Sequence, residues 1–215
     1  MITSQYADMK QKFTELYNSA MPEPAFLNVP ALNFLMIDGI GDPRGSQEYE
    51  DAVNALVAVS FATMFMLKRD KQVKDYGVPP VESTWLLNAD SDFDGEGNTQ
   101  WRWTAMVMQP EHVELEDIIR SIEYLKMTNP LVIYDKIRFE CVEEGMTVHM
   151  LHHGTYRKQR ASVARMDAFA SANGCEMLMR HHEIYLTHPF GTDVQKIRTI
   201  LRHPVIKKFA PPVSE

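Results

Sequence analysis

The feature that most constrains the fold is an order of elements that occurs twice along the chain. In residues 34–56 an apolar segment is followed by a glycine, a short loop and a helical pattern. Residues 148–169 repeat this order, with Gly154 after the apolar segment. A recurring order of elements indicates a duplicated structural unit. The sequence therefore predicts one sheet built by two related halves, and the cleft between the halves is a natural place for a ligand.

The first half of the chain carries patterns typical of three helices, the first at residues 5–19, and three strands. A long helix is predicted after Ser46, a good capping residue. Its expected buried positions are Tyr49, Ala52, Val53, Leu56, Val59, Thr63 and Leu67. Strands are predicted at LNFLMIDG, ending at Gly39, and at VESTWLL and TQWRWTAMVMQ, the last two forming a hairpin across the Asp- and Gly-rich segment 89–98. LEDIIRSIEYLKM predicts a helix with the stripe Leu115, Ile118, Ile119, Ile122 and Leu125.

The second half predicts a similar set of elements. DKIRFECVEEGMTVHMLHHG is typical of a hairpin that turns at Gly145. SVARMDAFASANG predicts a helix that ends at Gly174. Its inward residues are Val163, Met166, Phe169 and Ala170. HHEIYLTHP predicts a strand, and DVQKIRTILRHPV predicts a short final helix stopped by Pro204.

Composition and charge exclude several classes of function. The formal net charge of -7 argues against general binding to DNA or to an anionic membrane. No apolar run approaches the roughly 20 residues of a membrane span, and the first residues contain no apolar signal segment. Cys141 and Cys175 do not form a metal-type pair. We expect a cytoplasmic protein with reduced thiols and with neither nucleic acid nor membrane as partner; the sequence leaves its oligomeric state open.

Two patterns bear on cofactors and metals. GIGDPRG has neither the dinucleotide spacing nor the lysine of a nucleotide loop, so no cofactor is expected. His149 and His153 share one face of a predicted strand, as His181 and Glu183 do on another. If these strands were neighbours, the four side chains would form a metal site. No helical His pair or Cys pair supports this, so hydrogen bonding is the favoured interpretation and a metal-dependent hydrolase is the weakest alternative.

An acid lies at the centre of the apolar strand RHHEIYLTHP. Glu183 shares its face with Tyr185, and burying an acid is costly unless it has a role or a partner. Aromatic faces with one carboxylate suit a flat, lipophilic or cationic molecule. The equal alternative is that Trp85 and Trp103 are core residues and Glu183 is partly solvated. The candidate ligand-binding residues are Trp85, Trp101, Trp103, Tyr185, His181 and Glu82.

The sequence resembles the GyrI-like (gyrase-inhibitor-like) small-molecule-binding family, in its stand-alone branch. The segments that carry the resemblance are KQKFTELY, FLMIDGIGDP, YGVPPVESTW, WRWTAMVMQP, IRFECVEEGMTVHMLHHGTY, RHHEIYL and IRTILRHPV. It implies an α+β fold of duplicated β-α-β-β (SHS2-type) units, whose antiparallel sheet has helices on one face and a ligand cleft on the other. In residues 1–30 the residue pattern itself predicts a helix at 5–19, with Met9, Phe13, Leu16 and Tyr17 on one face, and then an extended arm packed on the domain. Residues 31–215 would form one domain with two pseudo-repeats, about 31–110 and 131–205.

The resemblance also implies a function. Relatives attached to transcription regulators bind drug-like, often cationic molecules with a glutamate in an aromatic pocket. Stand-alone members look like hydrolases that open the strained cyclopropane ring of DNA-alkylating natural products, an activity of detoxification. By resemblance Glu183 and Tyr156 are the catalytic residues, and the three tryptophans supply stacking walls. Arg157 and Lys158 stand where relatives commonly carry acidic residues, which argues against a preference for cations.

We therefore expect a protein that acts on hydrophobic or aromatic xenobiotics or natural products, with hydrolysis of a strained electrophile as its reaction. Glu183 would face the concave side of the sheet, while Ile184 and Leu186 face the helices. As an enzyme it would use Glu183 to position or deprotonate water and Tyr156 to hydrogen-bond the electrophile. The alternative from another class is a non-catalytic protein that sequesters or senses a ligand.

Overall fold

The computed structural model describes residues 14–17, 21–42, 46–71, 76–86, 101–130, 132–188 and 192–208. These ranges contain nine strands and three α-helices. The strands are β1 (Ala25–Val29), β2 (Leu32–Ile40), β3 (Val81–Leu86), β4 (Arg102–Gln109), β5 (Arg138–Val142), β6 (Gly145–His153), β7 (Cys175–Met177), β8 (Arg180–Tyr185) and β9 (Arg198–Lys207). The helices are α1 (Gln47–Lys71), α2 (Leu115–Thr128) and α3 (Gln159–Ala172), with short 3-10 helices at Val132–Lys136, Tyr156–Lys158 and Val194–Lys196.

The sheet is antiparallel at every described pairing and has a repeated strand order. The order is β1-β6-β9-β8-β3-β4-β2-β5, and β7 pairs with β9 off this path. In each half the first strand pairs with the third, and the third with the second: β2-β4-β3 in one half and β6-β9-β8 in the other. The halves meet where β3 pairs with β8. The predicted α+β class with duplicated units in an antiparallel sheet is confirmed.

Helix α1 forms as the periodicity predicts. The Ser46 hydroxyl accepts a hydrogen bond from the Tyr49 backbone N–H at 3.3 Å, which caps the helix. All seven positions predicted to be inward are buried. By length and composition α1 would be long and apolar enough to cross a membrane, but half of its most apolar window is buried against the rest of this fold. The helix therefore serves as the core helix of the first half.

Both halves bury their apolar residues on the same face of the sheet. The largest cluster joins α1 to β2, β3 and β4, and a second cluster joins α3 to β6 and β9. Directly opposed residues on paired strands share a face. Leu201 in the second cluster opposes Glu183, Glu183 opposes Ser83, and Ser83 opposes Ala105 in the first cluster. This face, which carries α1 and α3, is called the helix face below.

Two predicted elements of the second half are wrong. β5 and β6 do not form a hairpin: β5 pairs with β2, and β6 pairs with β1 and β9. The reason is that Phe139 of β5 packs on the first cluster, whereas Val148 of β6 belongs to the second. The predicted final helix is instead strand β9, preceded by one 3-10 turn. Pairing with β6 and β8 outweighs the helix-like spacing of Ile197, Ile200 and Leu201.

The remaining predictions are met in part. In α2, Ile118 is buried, but Leu115 and Ile119 are exposed. α3 ends as predicted before Gly174, which has a φ of 70° that favours glycine. β3 and β4 pair as predicted, while their connecting segment 89–98 lies outside the described residues. Of the predicted N-terminal helix, only residues 14–17 are described, and 14–16 are helical.

Candidate functional site

Glu183 lies on the helix face, which corrects the expected orientation of β8. Tyr185, on the same side of the strand, packs on the first apolar cluster, which joins α1 to β2, β3 and β4 and is called the α1 cluster below. Ile184 faces the opposite side, where it packs with Leu151 and Ile200. Because β8 lies in the middle of the sheet, both of its sides are buried. The apolar character of Ile184 therefore did not show which side the helices cover. The carboxylate is on the side where the two helices lie.

Glu183 is enclosed by hydrogen-bond donors from two elements. Its Oε1 lies 3.1 Å from Nε2 of His181, and Tyr185 and Gln159 also hydrogen-bond its carboxylate. Gln159 is the first residue of α3, so one helix contributes directly to the site. Burial raises the pKa of Glu183, but His181, Tyr185 and Gln159 offset this and hold that pKa below its ordinary value. The acid is therefore a carboxylate at neutral pH although only 8% of the residue is exposed.

Tyr49 connects the site to the other helix. Its hydroxyl donates to the Tyr185 hydroxyl at 3.3 Å and lies 2.6 Å from the Ser83 hydroxyl. Burial raises the pKa of both phenols, so they stay protonated and remain donors. Glu183 on the sheet is thus connected to both helices: to α3 directly through Gln159, and to α1 through Tyr185 and Tyr49. We call this arrangement the Glu183 site; its residues are Glu183, His181, Tyr185, Tyr49 and Gln159.

A second histidine extends the site behind His181. His203 of β9 places its Nε2 2.8 Å from Nδ1 of His181, and its own Nδ1 lies 3.3 Å from the Leu178 carbonyl oxygen. Burial, followed by repulsion from His181, lowers the pKa of His203 to about 3. The hydrogen-bond chain Glu183–His181–His203–Leu178 is therefore continuous from the carboxylate to the backbone.

The three tryptophans lie on the same face as Glu183, as predicted, but this is the helix face, and they are core residues there. Trp85, Trp101 and Trp103 are all buried. Trp85 contacts Trp101 edge to face at a 6.3 Å centroid distance, and Tyr49 contacts Trp103 at 5.1 Å. Within the described part of the chain, the indole N–H groups of Trp85 and Trp103 are buried without a hydrogen-bond partner. The tryptophans support the site from within the α1 cluster, and the half-buried Tyr185 is the aromatic residue beside the carboxylate.

Tyr156 lies at the α3 end of the site. It begins the 3-10 helix Tyr156–Lys158, three residues before Gln159. Residues three apart in such a turn lie on the same side of it. The half-buried Tyr156 therefore flanks the residue that hydrogen-bonds Glu183, whereas Arg157 and Lys158 are exposed.

Glu82, the remaining predicted ligand-binding residue, lies on the opposite face of the sheet. It accepts a 2.5 Å hydrogen bond from the Tyr17 hydroxyl, and its Oε2 lies 2.9 Å from Nε2 of His182, an ion pair without the alignment of a hydrogen bond. Glu144 lies 2.9 Å from the other His182 nitrogen and also accepts from Arg202. These five residues are called the His182 cluster. The cluster and the Glu183 site lie on opposite faces of the sheet, so Glu82 is not part of the Glu183 site.

The His182 cluster is electrically balanced. Burial alone would lower the pKa of His182, but Glu144 and Glu82 raise it to about 9. Burial would likewise raise the pKa of Glu144, but His182 and Arg202 lower it to about 2. Two cations and two carboxylates thus compensate one another. Arg202 also donates to the Leu16 carbonyl at 2.8 Å, which ties the N-terminal segment to this face.

Of the four side chains considered for a metal, His181 and Glu183 are in contact, but His149 does not join them. β9 lies between β6 and β8, so the strands of His149 and His181 are not neighbours. His149 opposes Arg202, which in turn opposes His182, so His149 faces the side away from Glu183. Among the residues that the structure describes, no group of three or more His, Cys, Asp or Glu side chains could hold a metal ion.

Several residues of the site were not predicted as such. Tyr49 was predicted only as a buried helix position, and Gln159 and His203 were not singled out. A buried strand position held by glutamate requires donors, but the sequence does not show which distant residues provide them. The strongest available signal was the tyrosine inside the apolar stripe of α1, since a buried phenol hydroxyl usually finds a partner.

Comparison with known proteins decides the family. The family model described as "GyrI-like small molecule binding domain" matches residues 22–205. The chain belongs to the GyrI-like family. The GyrI-like match includes β1 and ends inside β9, so it spans both halves of the sheet. A search among curated proteins found no match.

Three solved structures place this GyrI-like chain among its relatives. A protein of Listeria innocua described as a hydrolase is 32% identical with a TM-score of 0.80, and a Listeria innocua protein described as uncharacterized and conserved is 32% identical with a TM-score of 0.79. Each match covers 91% of this chain and 98% of the other. The C-terminal domain of EcmrR is 14% identical with a TM-score of 0.53, and the match covers 86% of this chain and 98% of that domain. At this identity the likeness shows a shared fold alone.

Proposed function

We propose that the protein binds a flat, lipophilic and electrophilic small molecule next to Glu183 and hydrolyses a strained ring in that molecule. The observation that carries the proposal is that the Glu183 carboxylate is nine-tenths buried and is held by His181, Tyr185 and Gln159, which keep its pKa below the ordinary value. Ionised acids in such surroundings cluster at functional sites. The Listeria protein described as a hydrolase is similar over nearly the whole chain, which supports a hydrolytic reaction.

The reaction we propose is ring opening of a cyclopropane conjugated to a carbonyl group. A water oxygen bonds to a ring carbon, the strained carbon–carbon bond breaks, and its electron pair moves to the carbonyl oxygen. Glu183 takes the water proton, which is later returned to the product oxygen. The Tyr156 hydroxyl would hydrogen-bond that oxygen as charge develops on it. Ring strain lowers the barrier, so this short list of groups is sufficient.

A second candidate function, binding without catalysis, is favoured by one observation: the Glu183 carboxylate already accepts hydrogen bonds from His181, Tyr185 and Gln159. Three donors lower the pKa of Glu183, and a carboxylate with a low pKa is a weak base. Such a group is well suited to orient a bound molecule. The alternative function is therefore a binding protein that sequesters or senses the same class of ligand without converting it.

The test uses a spirocyclopropyl dienone, a neutral strained electrophile, and its ring-opened alcohol. Thermal shift measures binding of each compound, and chromatography measures conversion of the first. We expect both compounds to raise the melting temperature, because a ligand of the native state stabilises it. We also expect conversion by the parent protein to fall about a hundredfold or more in Glu183→Gln, as for loss of a general base.

The matched control is Glu176→Gln, which changes an exposed glutamate on β7 in the same way. It should convert the dienone like the parent. Binding of both compounds without conversion by the parent would favour the sequestering function. Equal conversion by the parent and Glu183→Gln would remove Glu183 from the mechanism.

A further inference from the structure

We propose that His203 is a positioning residue. Through His181 it holds Glu183 in a His181–Glu183 pair that shares one hydrogen and carries no net charge, so that the site binds uncharged ligands in preference to cations. The inference rests on the proposed function for its ligand class alone. Its statement about protons follows from hydrogen-bond geometry and is testable without any ligand.

The protons can be placed by starting at the backbone. The Leu178 carbonyl oxygen accepts only, so Nδ1 of His203, 3.3 Å away, must carry a hydrogen. Burial keeps His203 neutral, since its pKa is lowered to about 3. A neutral imidazole with a hydrogen on Nδ1 has a bare Nε2, which accepts. Nε2 of His203 is therefore the acceptor in its 2.8 Å contact with His181.

The same reasoning continues to the carboxylate. Nδ1 of His181 must donate to that bare nitrogen, so Nδ1 carries a hydrogen. Nε2 of His181 lies 3.1 Å from Oε1 of Glu183, and a contact at this distance requires one hydrogen between the two atoms. Because the pKa of Glu183 is held below its ordinary value, this hydrogen is on His181, and the pair is an imidazolium and a carboxylate with a net charge of zero.

Among the residues that the structure describes, the other titratable groups around Glu183 do not alter this balance. His152 of β6 hydrogen-bonds the Ser162 hydroxyl and the Thr155 carbonyl, and burial lowers its pKa. Tyr49 of α1 and Tyr185 of β8 are phenols whose pKa burial raises. All three are uncharged at neutral pH. A cationic ligand entering the site would thus lose its hydration and find no unpaired anion in exchange.

The proton placement is measured by nitrogen-15 NMR of the histidine rings in the full chain at pH 7. We expect His203 as the neutral tautomer with its hydrogen on Nδ1, and we expect a hydrogen on Nδ1 of His181. A hydrogen on Nε2 of His203, or a bare Nδ1 on His181, would overturn the proposal.

Two substitutions test the role of His203. His203→Gln supplies an amide oxygen that can accept from His181, whereas His203→Phe fills the space without an acceptor. In His203→Phe, His181 should give up its Nδ1 hydrogen and keep the one on Nε2, leaving a net charge of −1 on the pair. His203→Gln should resemble the parent in its His181 nitrogen shifts, which a purely structural role for His203 would not require.

The ligand class is tested with two probes of similar shape, tetraphenylphosphonium and triphenylphosphine oxide. The parent and His203→Gln should bind the neutral oxide more tightly. In His203→Phe the ratio of affinities should move toward the cation by about tenfold, the size expected for one added charge near the ligand. Preference of the parent for the cation, or no change of the ratio in His203→Phe, would overturn the inference. If neither probe binds, the proposed function is in question, and the NMR result alone decides the proton placement.

Discussion

Trp103 of β4 lies against Gly39 of β2, so closely that a Cβ atom on residue 39 would fall 2.0 Å from Cζ2 of the indole ring. The two residues are opposite each other in the β2–β4 pairing. The bare backbone of Gly39 makes room for Trp103, one of the three buried tryptophans of the α1 cluster. Tyr49 then packs edge-on against Trp103 and reaches Tyr185 with its hydroxyl. A strand glycine thus supports the position of the Glu183 site.

We predict that Gly39→Ala destabilises the protein strongly. The added methyl overlaps the rigid ring of Trp103, and overpacking of this kind costs about 3 kcal/mol. The free energy of unfolding, measured by urea titration, gives the cost. Gly77→Ala is the matched control, because a Cβ there meets no atom within 4 Å. A Gly39→Ala protein as stable as the parent would show that Trp103 can move aside.

The sequence predicted α1 accurately because its pattern is local and long. All seven inward positions and the Ser46 cap follow from residues within one helix. β9 was predicted as part of a short helix within DVQKIRTILRHPV, with Pro204 as its stop. The pairing with β6 and β8 that decides its structure joins residues far apart in the chain. Patterns of this length do not carry such long-range information.

The site was predicted at the level of β8 but not of its neighbours. Alternation correctly placed Glu183 with Tyr185 and opposite Ile184. It could not tell which side the helices cover, since β8 is buried on both sides and Ile184 and Glu183 are both below a tenth exposed. The donors to Glu183 come from β8 and α3, and the residues behind them, Tyr49 and His203, come from α1 and β9. That these elements converge depends on the complete strand order.

We predict that Tyr185→Phe shifts the pH dependence of the Glu183 site. Tyr185 donates to the carboxylate and so helps to lower the pKa of Glu183. Without that donor the pKa rises, and the carboxylate is lost at a higher pH than in the parent. The acid side of the pH profile of ligand conversion, or of binding if no conversion occurs, should move toward neutral pH. An unchanged profile would mean that the remaining donors compensate for the lost hydroxyl.

We predict that Tyr156→Phe lowers conversion of the dienone less than Glu183→Gln does. Its hydroxyl would stabilise developing charge as one hydrogen bond, whereas Glu183 is asked to accept a proton. Steady-state kinetics should show the loss in kcat with little change in KM, since the bond strengthens in the transition state. Tyr124→Phe, an exposed tyrosine on α2, is the control. Equal kcat in Tyr156→Phe and the parent would exclude a role for Tyr156 in the reaction.

The last prediction concerns the stability of the fold, which should be greatest near pH 6.5. His182, with its pKa raised to about 9, holds a proton that the unfolded chain releases above about 6.5, so stability falls as the pH rises from there toward 9. His203 and His149 have pKa values lowered to about 3 and about 4, so below about pH 6.5 they stay unprotonated in the folded protein while the same histidines in the unfolded chain bind protons. Stability therefore also falls as the pH drops below about 6.5.

Melting temperatures between pH 4 and 9 should trace this maximum, and His182→Gln should remove its alkaline side. At pH 6.5 the variant leaves Glu82 and Glu144 buried without their shared cation, a loss of about 3 kcal/mol. Toward pH 9 the parent loses the same charge, so the two melting temperatures should converge. On the acid side both proteins should lose stability with similar slopes, because His203 and His149 remain. A parent melting temperature that stays constant from pH 6.5 to 9 would contradict a protonated His182 between the two carboxylates.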